Sequence, residues 1–416
     1  MNQAMKEGHL FKQRQEVMKE ALEMLNRDLQ VMAVSEQDVS QVLYRLVLQK
    51  SIVVEEERIY SIRQYEEETQ TASMIARRLL EKPVLLSIEP ELEKAQKTLG
   101  ITLSETQKQA VRMVFAHPIS IITGGPGTGK TTTLVEAIYE TLHRENQVMV
   151  CAQSNTAVDW ISEKLVDRGI HVLRIGNPTR VNDKMLSFTY ERRFESHPDY
   201  AELWGIRKAI REIQSNLRRK SHSEKETVRN RLSRLRFRAT ELEVKIDTEL
   251  FDEARVVACT LVGSANRVLT NRNFTTLFID EAAQALEAAC WIAIGKADRV
   301  ILAGDHHQLP PTIKCIEAAR GGLDHTLMQK ITDQKPETVS LLKTQYRMNE
   351  SIMRFPSRWF YRDELQSAPE VKHRGILEFD TPVVWLDTAD CHFEEDQLTD
   401  SMSPVSYTHL RAHETA

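Results

Sequence analysis

Apolar positions along this chain fall into two alternating rhythms. Short runs that are apolar or β-branched almost throughout recur at 119–122, 148–152, 171–175, 256–259, 276–279, 299–303 and 339–342. Runs of four or five such residues, without polar alternation, predict strands buried on both faces, as in a parallel sheet. Helical stretches separate them, so the order predicts an α/β fold. Residues 203–250 differ. Ile206, Ile210, Ile213 and Leu217 step by four, three, four, and Val228, Leu232, Leu235, Ala239, Leu242 and Ile246 continue the same spacing. Ser221-His222-Ser223 lies between the two series, which predicts an antiparallel helical hairpin with a narrow apolar seam.

The first 95 residues lack the strand rhythm. Residues 10–26 predict an amphipathic helix, and Ser35 with Asp38 predicts the N-cap of a second helix ending at Leu48. Ile52-Val53-Val54, an acidic Glu55-Glu56-Glu57 turn and Arg58-Ile59-Tyr60 predict a small hairpin, and a third helix follows over 64–81. Helices followed by a hairpin form a winged-helix-like module. It serves either nucleic-acid contact or packing against protein, and its acidic wing favours packing. Pro83 and Pro90 interrupt the helical pattern and mark a linker.

Composition narrows the picture. Across 416 residues, 41% hydrophobic content supports two or three domains with sizeable cores. No apolar run approaches the roughly 18 residues of a membrane span, and the amino terminus has no signal-peptide character. Cys151, Cys259, Cys290, Cys315 and Cys391 stand far apart without a C-x-x-C pair, which fits a reducing, cytoplasmic setting without a zinc site. The net charge of −5 makes any nucleic-acid surface a local one. One local excess exists: between Arg207 and Arg238, twelve Lys and Arg face three Asp and Glu. Such a run is either a solvated helical face or a contact for a phosphate backbone, and the imbalance of sign favours the second.

The chemistry gathers at the ends of the apolar runs. After 119–122 comes Thr123-Gly124-Gly125-Pro126-Gly127-Thr128-Gly129-Lys130-Thr131-Thr132, which fits G-x-x-x-x-G-K-[ST] from Gly124 to Thr131. Glycines let backbone N–H groups curl around a phosphate, Lys130 adds a charge, and the Thr131 hydroxyl suits Mg²⁺. The following helix N-terminus adds partial positive charge. A strand–turn–helix with all four marked positions points to a nucleoside triphosphatase core. The run 276–279 delivers Asp280-Glu281, the pair a Walker-B site requires: Asp280 for the metal, Glu281 for the attacking water. The run 299–303 ends in Gly304-Asp305-His306-His307-Gln308, with Gln308 placed to sense a γ-phosphate. His306 and His307 lack partner ligands and read as surface residues. Arg347, just beyond the last run, is either a surface residue or an arginine finger. Ser104 with Gln107 is a capping box, and Gln107 is also placed to read an adenine just upstream of the glycine-rich loop. Gln153-Ser154-Asn155 follows 148–152, and Thr260 follows 256–259. Such small polar residues suit either helix capping or phosphate and sugar contacts.

Together these blocks resemble the motifs of the superfamily-one helicases of the up-frameshift type, the group that includes the immunoglobulin-switch-binding helicase. The resemblance covers roughly 100–390. Its most specific pieces are Asp280-Glu281-Ala282-Ala283-Gln284-Ala285-Leu286-Glu287, Gly304-Asp305-His306-His307-Gln308-Leu309-Pro310-Pro311-Thr312 and Gln345-Tyr346-Arg347-Met348. It implies two RecA-like P-loop domains with ATP between them, single-stranded RNA or DNA across the top, and 5′-to-3′ movement. It implies that Gln107 and Tyr346 hold adenine, and that Gly125, Gly127, Thr128, Gly129, Lys130, Thr131 and Thr132 hold phosphate. Thr131 and Asp280 would hold Mg²⁺, with Lys130, Asp280, Glu281, Gln308 and Arg347 as the catalytic set. Ser154, Asn155 and Thr260 would touch the nucleic-acid backbone, and the basic hairpin would be an insertion in the first RecA-like domain.

The expected organisation is therefore a helical and winged-helix-like module over 1–95, and a first RecA-like domain over 96–333 with its hairpin at 202–250. A partial second RecA-like domain follows over 334–402, then a tail at 403–416 that resembles nothing in the family and reads as non-native. The family's β-barrel insertion before the first motif is not evident, nor are the later second-domain motifs with their second arginine. The expectation is an N-terminal helicase fragment of low ATPase activity. The competing readings are a P-loop switch or assembly ATPase without unwinding, and a binding module without catalysis.

Overall fold

The computed structural model describes residues 11–27, 34–80, 90, 93, 96, 102–217, 222–375 and 382–384. It divides into two compact units, 1–345 and 346–416. The expected linker at 81–89, the tail at 403–416 and most of 376–402 lie outside the described residues.

The amino-terminal module begins with strand β1 (Phe11–Gln13), where the sequence pattern predicts helix. Phe11 explains the difference. As a strand residue it faces Tyr60 with ring centroids 5.4 Å apart, and the Arg58 guanidinium covers its ring. Helix α1 (Arg14–Asn26) follows. Helix α2 (Glu36–Leu48) opens on Ser35, whose hydroxyl accepts the Asp38 N–H while the Asp38 carboxylate accepts the Ser35 N–H. That reciprocal pair is the capping box. Strands β2 (Ile52–Glu55) and β3 (Arg58–Ser61) form the expected hairpin, and β1 adds antiparallel to β3 to complete a three-stranded sheet. Helix α3 runs over Ile62–Leu80.

The second part of this unit is built on seven strands, paired in parallel, in the order β10-β4-β9-β8-β5-β7-β6. These are β4 (Ile119–Gly124), β5 (Val148–Ala152), β6 (Val172–Arg174), β7 (Val256–Thr260), β8 (Phe274–Asp280), β9 (Ala297–Gly304) and β10 (Val339–Leu342). Successive side chains of each strand pack into opposite layers. Ile121, Met149, Val257 and Leu277 join one apolar cluster with Phe251, Cys290, Ala293 and Met328. Their neighbours Ile122, Val150, Ala258 and Phe278 join the other, with Val111, Leu134, Ile138 and Val158. The second layer is carried by α4 (Glu105–Ala116), α5 (Lys130–Leu142) and α6 (Asn155–Val166). The first is carried by α10 (Glu287–Ile294) and α11 (Leu327–Gln334). With both faces covered, the strands read as near-continuous apolar runs.

One boundary moves. The sequence reading starts a second domain at 334, but β10 pairs with β4 in the first sheet. Its partner lies far upstream, so no local pattern announces the pairing.

A short α7 (Tyr190–Glu195) precedes the hairpin helices α8 (Tyr200–Leu217) and α9 (His222–Glu253). Leu203, Ala239, Leu242, Ile246 and Leu250 form the buried seam, with Ile206 and Ile210 against it, at the predicted spacing. Between the helices Arg207 pairs with Glu243 at 2.7 Å, and Arg238 pairs with Glu202 at 2.9 Å. Such exposed pairs contribute about 0–1 kcal/mol each. Part of the basic excess is therefore neutralised within the hairpin. Arg229, Arg231, Arg234 and Arg236 are exposed and have no ion-pair partner among the described residues.

In the second unit, α12 (Glu350–Phe360) is capped by Asn349, whose side chain accepts the Ser351 N–H and donates to the Arg374 carbonyl. Among the described residues no helix is long and apolar enough to cross a membrane.

Candidate nucleotide and nucleic-acid site

The register of the sheet decides which residues meet. Leu342 is level with Gly124, Thr123 with Gly304, and Ala152 with both Asp280 and Thr260. The carboxyl ends of β10, β4, β9, β8, β5 and β7 thus share one edge, where open α/β sheets bind ligands.

At that edge the glycine-rich loop turns on Gly127 and Gly129, with φ of +78° and +77°. A side chain in this region costs roughly 1–2 kcal/mol, which glycine avoids. Space constrains Gly129 as well, because a Cβ there would lie 2.9 Å from Gln107 Nε2. Thr128 is buried and its hydroxyl donates to the Gly125 carbonyl at 2.8 Å, closing the turn. Lys130 Nζ donates to the Gly124 and Gly125 carbonyls at 2.7 and 3.3 Å and lies 4.0 Å from Asp305 Oδ2. Thr132 is exposed on the first turn of α5.

The Thr131 hydroxyl donates to Asp280 Oδ2 at 3.3 Å, so the two expected metal ligands are neighbours. Burial, reinforced by the charge of Glu281, pushes the Asp280 carboxyl up to about 6, against the Glu281 N–H, the Thr131 hydroxyl and the Lys130 charge. A carboxyl that is hard to ionise for want of solvation is one that a hard divalent cation would hold ionised. The oxygen pair and the glycine-rich turn, with Lys130 beside it, therefore fit Mg²⁺ and a triphosphate. Glu281 sits at φ +53°, a left-handed conformation that costs a non-glycine residue of order 1 kcal/mol. The turn that forces it packs tightly on β9: a Cβ at Gly304 would lie 2.8 Å from the Ala283 nitrogen.

Gln308 does not stand alone. Its Nε2 donates to Asp305 Oδ2 at 2.7 Å, and Asp305 also accepts the His307 N–H at 3.2 Å. Buried Asp305 thus links the Gln308 block to Lys130, a link the sequence reading missed. Its signal was an acid directly after an apolar strand, in the same setting as Asp280. The His306 and His307 rings lie 4.0 Å apart and tilted by 42°, and burial lowers the His306 pKa.

Gln107 makes the expected cap and also lies beside the glycine-rich loop. Its Oε1 accepts the Ser104 N–H at 2.9 Å, completing the capping box. Its Nε2 donates to the Thr128 carbonyl at 3.4 Å, which seats it against the phosphate loop.

The three residues expected on nucleic acid stand at the same sheet edge, and each has an internal partner. Ser154 caps α6 by accepting the Ala157 N–H at 3.1 Å, and Thr260 accepts the Gly263 N–H at 3.0 Å. Asn155 Oδ1 accepts from Arg174 Nη2 at 2.9 Å. Fully buried Arg174 was not foreseen: a single charge at the end of an apolar run resembles a surface-facing strand terminus. Tyr346 and Arg347 belong to the second unit, where both are exposed.

Two AAA domain family profiles match the chain, over residues 102–315 and 323–409. Among curated proteins, the DNA-binding protein SMUBP-2 of Rattus norvegicus is 34% identical over 318 residues, 73% of this chain and 32% of that protein. The DNA polymerase alpha-associated DNA helicase A of Schizosaccharomyces pombe is 33% identical over 327 residues, 76% of this chain and 49% of that protein. The Regulator of nonsense transcripts 1 homolog of Arabidopsis thaliana is 35% identical over 286 residues, 67% of this chain and 22% of that protein. The chain thus spans between about a fifth and half the length of these relatives.

Proposed function

The chain belongs to the superfamily-one helicases of the up-frameshift type, and from that premise we propose an ATP-dependent translocase and helicase that moves 5′ to 3′ on single-stranded RNA or DNA. One observation supports this most: the nucleotide set (Lys130, Thr131, Asp280, Glu281, Asp305, Gln308) and the nucleic-acid set (Ser154, Asn155, Thr260) lie along one edge of a single sheet. A conformational change at the nucleotide has no flexible linker to cross before it reaches the strand. The names of the relatives, which include two DNA proteins and a regulator of transcripts, agree with a nucleic-acid substrate of either kind.

When bound, ATP supplies the phosphoanhydride and Mg²⁺ neutralises charge on it. Thr131 and Asp280 would hold the metal, and the loop N–H groups with Lys130 would bind phosphate oxygens. Glu281 would take the proton of the attacking water at its carboxylate. Gln308, oriented by Asp305, would contact the γ-phosphate. Gln107 would contact the adenine.

The test is ATPase activity with and without single-stranded RNA and DNA, followed by unwinding of duplexes with a 5′ or a 3′ tail. The expected result is stimulation by a single strand and unwinding from the 5′ tail alone. ATPase indifferent to single strands would support a switch or assembly ATPase and overturn the proposal. Unwinding from the 3′ tail would overturn the direction.

A further inference from the structure

Arg174 is fully buried at the end of β6, and all three of its guanidinium nitrogens donate. Nε donates to Asp159 Oδ1 at 2.8 Å, Nη1 to the Ile175 carbonyl at 2.6 Å, and Nη2 to Asn155 Oδ1 at 2.9 Å. The other oxygen of Asp159 accepts the Asn182 N–H at 2.9 Å, so the carboxylate that anchors the arginine is itself fixed. Space around the group is tight: a Cβ at Gly176, where φ is +156°, would lie 3.0 Å from Nη1.

This arrangement decides a polarity. A guanidinium has only donors, so the carboxamide atom facing it is the oxygen. The NH₂ of Asn155 is then on the opposite side of the carboxamide. Asn155 is half-buried and opens α6, beside Ser154. The geometry points to Arg174 as a positioning residue that locks the Asn155 amide with its donor outward, making the outward side of that amide a donor-only contact for the phosphate or sugar oxygens of a single strand. The inference rests on the proposed nucleic-acid function and adds to it a residue that never touches the strand. Without the arginine the amide could rotate, presenting an oxygen to the anionic backbone about as readily as a donor.

Full-length chain and its variants are compared for binding of fluorescein-labelled oligo(dT) and oligo(U) by anisotropy, with thermal unfolding measured alongside. Asn155→Asp preserves an acceptor for Arg174 and removes the outward donor. The expected result is an unfolding midpoint no lower than wild type and affinity weaker by about tenfold or more, the loss of one charge-assisted hydrogen bond. Equal affinity of wild type and Asn155→Asp would overturn the inference while leaving the helicase reading intact. Failure of the wild type to bind either oligonucleotide would sink the helicase reading itself. A double-mutant cycle then separates positioning from general support. Arg174→Lys keeps charge for Asp159 but has no fork to reach Asn155. Acting through Asn155, it should weaken binding about fivefold or more in the wild-type background and less than about twofold beside Asn155→Ala. Equal losses in both backgrounds would reduce Arg174 to a structural residue.

Discussion

Replacing Asp280 by Asn should make the protein more stable and inactive at once. Asp280 is buried, and its carboxyl is raised from 3.8 to about 6. A carboxyl that holds its proton more tightly when folded than when unfolded opposes folding as it ionises. The cost is absent below pH 3.8, grows between 3.8 and about 6, and is constant above. At about 1.4 kcal/mol per unit, the shift amounts to about 3 kcal/mol at neutral pH in the absence of a divalent cation. An amide avoids this cost and keeps its bonds: its oxygen can accept the Glu281 N–H at the position now 3.0 Å away, and its NH₂ can donate to the Thr131 hydroxyl. Urea unfolding of wild type and D280N, in chelator and across pH 4–8, measures the difference directly. The expected gain is about 3 kcal/mol at pH 7, shrinking toward zero near pH 4. Added Mg²⁺ should stabilise the wild type and not the variant. A variant less stable than wild type at pH 7, or a gain that does not change with pH, would refute the assignment of a strained acid to the metal position.

Further outcomes follow from the same geometry. Gly124→Ala places a Cβ 2.6 Å from Thr128 Oγ1 and 3.0 Å from the Leu342 carbonyl, so it should cost about 1–3 kcal/mol in chemical unfolding and abolish nucleotide binding. Gly205→Ala, at an exposed position of α8 with nothing within 4 Å, should instead stabilise by about 0.5–1 kcal/mol; a loss there would show that the hairpin is packed differently. Lys130→Ala removes the ammonium from the two loop carbonyls and should reduce ATP turnover to background while changing the unfolding midpoint little. If the hairpin grips a strand, replacing exposed Arg234 and Arg236 together by Gln should lower the salt slope of oligonucleotide binding by up to about 2, about one for each phosphate no longer neutralised, and an unchanged slope would make the basic face a solvated one.

The sheet was legible because burial on both faces leaves little room for polar residues, so each strand appears as an apolar run. The hairpin seam was legible for the same reason at helical spacing. What escaped was non-local. Three residues at Phe11–Gln13 are too few to show a period, and it is the pairing with Arg58, Ile59 and Tyr60 of β3 that makes them a strand. β10 read as the start of another domain because its pairing with β4 is invisible in its own four residues. Asp305 was visible as part of a block but not as the buried acid within reach of Lys130. Arg174 gave almost no signal, since its burial depends on Asp159, on Asn155 and on the bare backbone of Gly176.

The residues for which sequence offered two readings show why the choice was poorly posed. Gln107 caps α4 and also lies on the phosphate loop; Ser154 caps α6 at the edge where a strand is proposed to run. A side chain that makes no internal bond is free to rotate, and ordering it on binding costs about 0.5–1.5 kcal/mol for a rotamer-rich group. A side chain held by one internal bond has lost that freedom during folding, and its remaining donors or acceptors have a fixed direction. Gln107 illustrates the arithmetic: the carboxamide oxygen takes the Ser104 N–H, one N–H goes to Thr128, and one N–H is left. Capping would thus pre-organise these residues for the ligands proposed for them. The consequence can be measured at Ser104, which touches neither loop nor ligand. Ser104→Ala should cost about 1 kcal/mol of stability as a lost cap. Alanine keeps the backbone N–H that the Gln107 Oε1 accepts but loses the hydroxyl that accepts the Gln107 N–H, so the turn carrying Gln107 loosens and ATP binding should weaken a few-fold, with less effect on a 7-deaza analogue that lacks the ring-nitrogen acceptor for the remaining Gln107 N–H. Equal weakening for both nucleotides would show that the cap supports the fold alone.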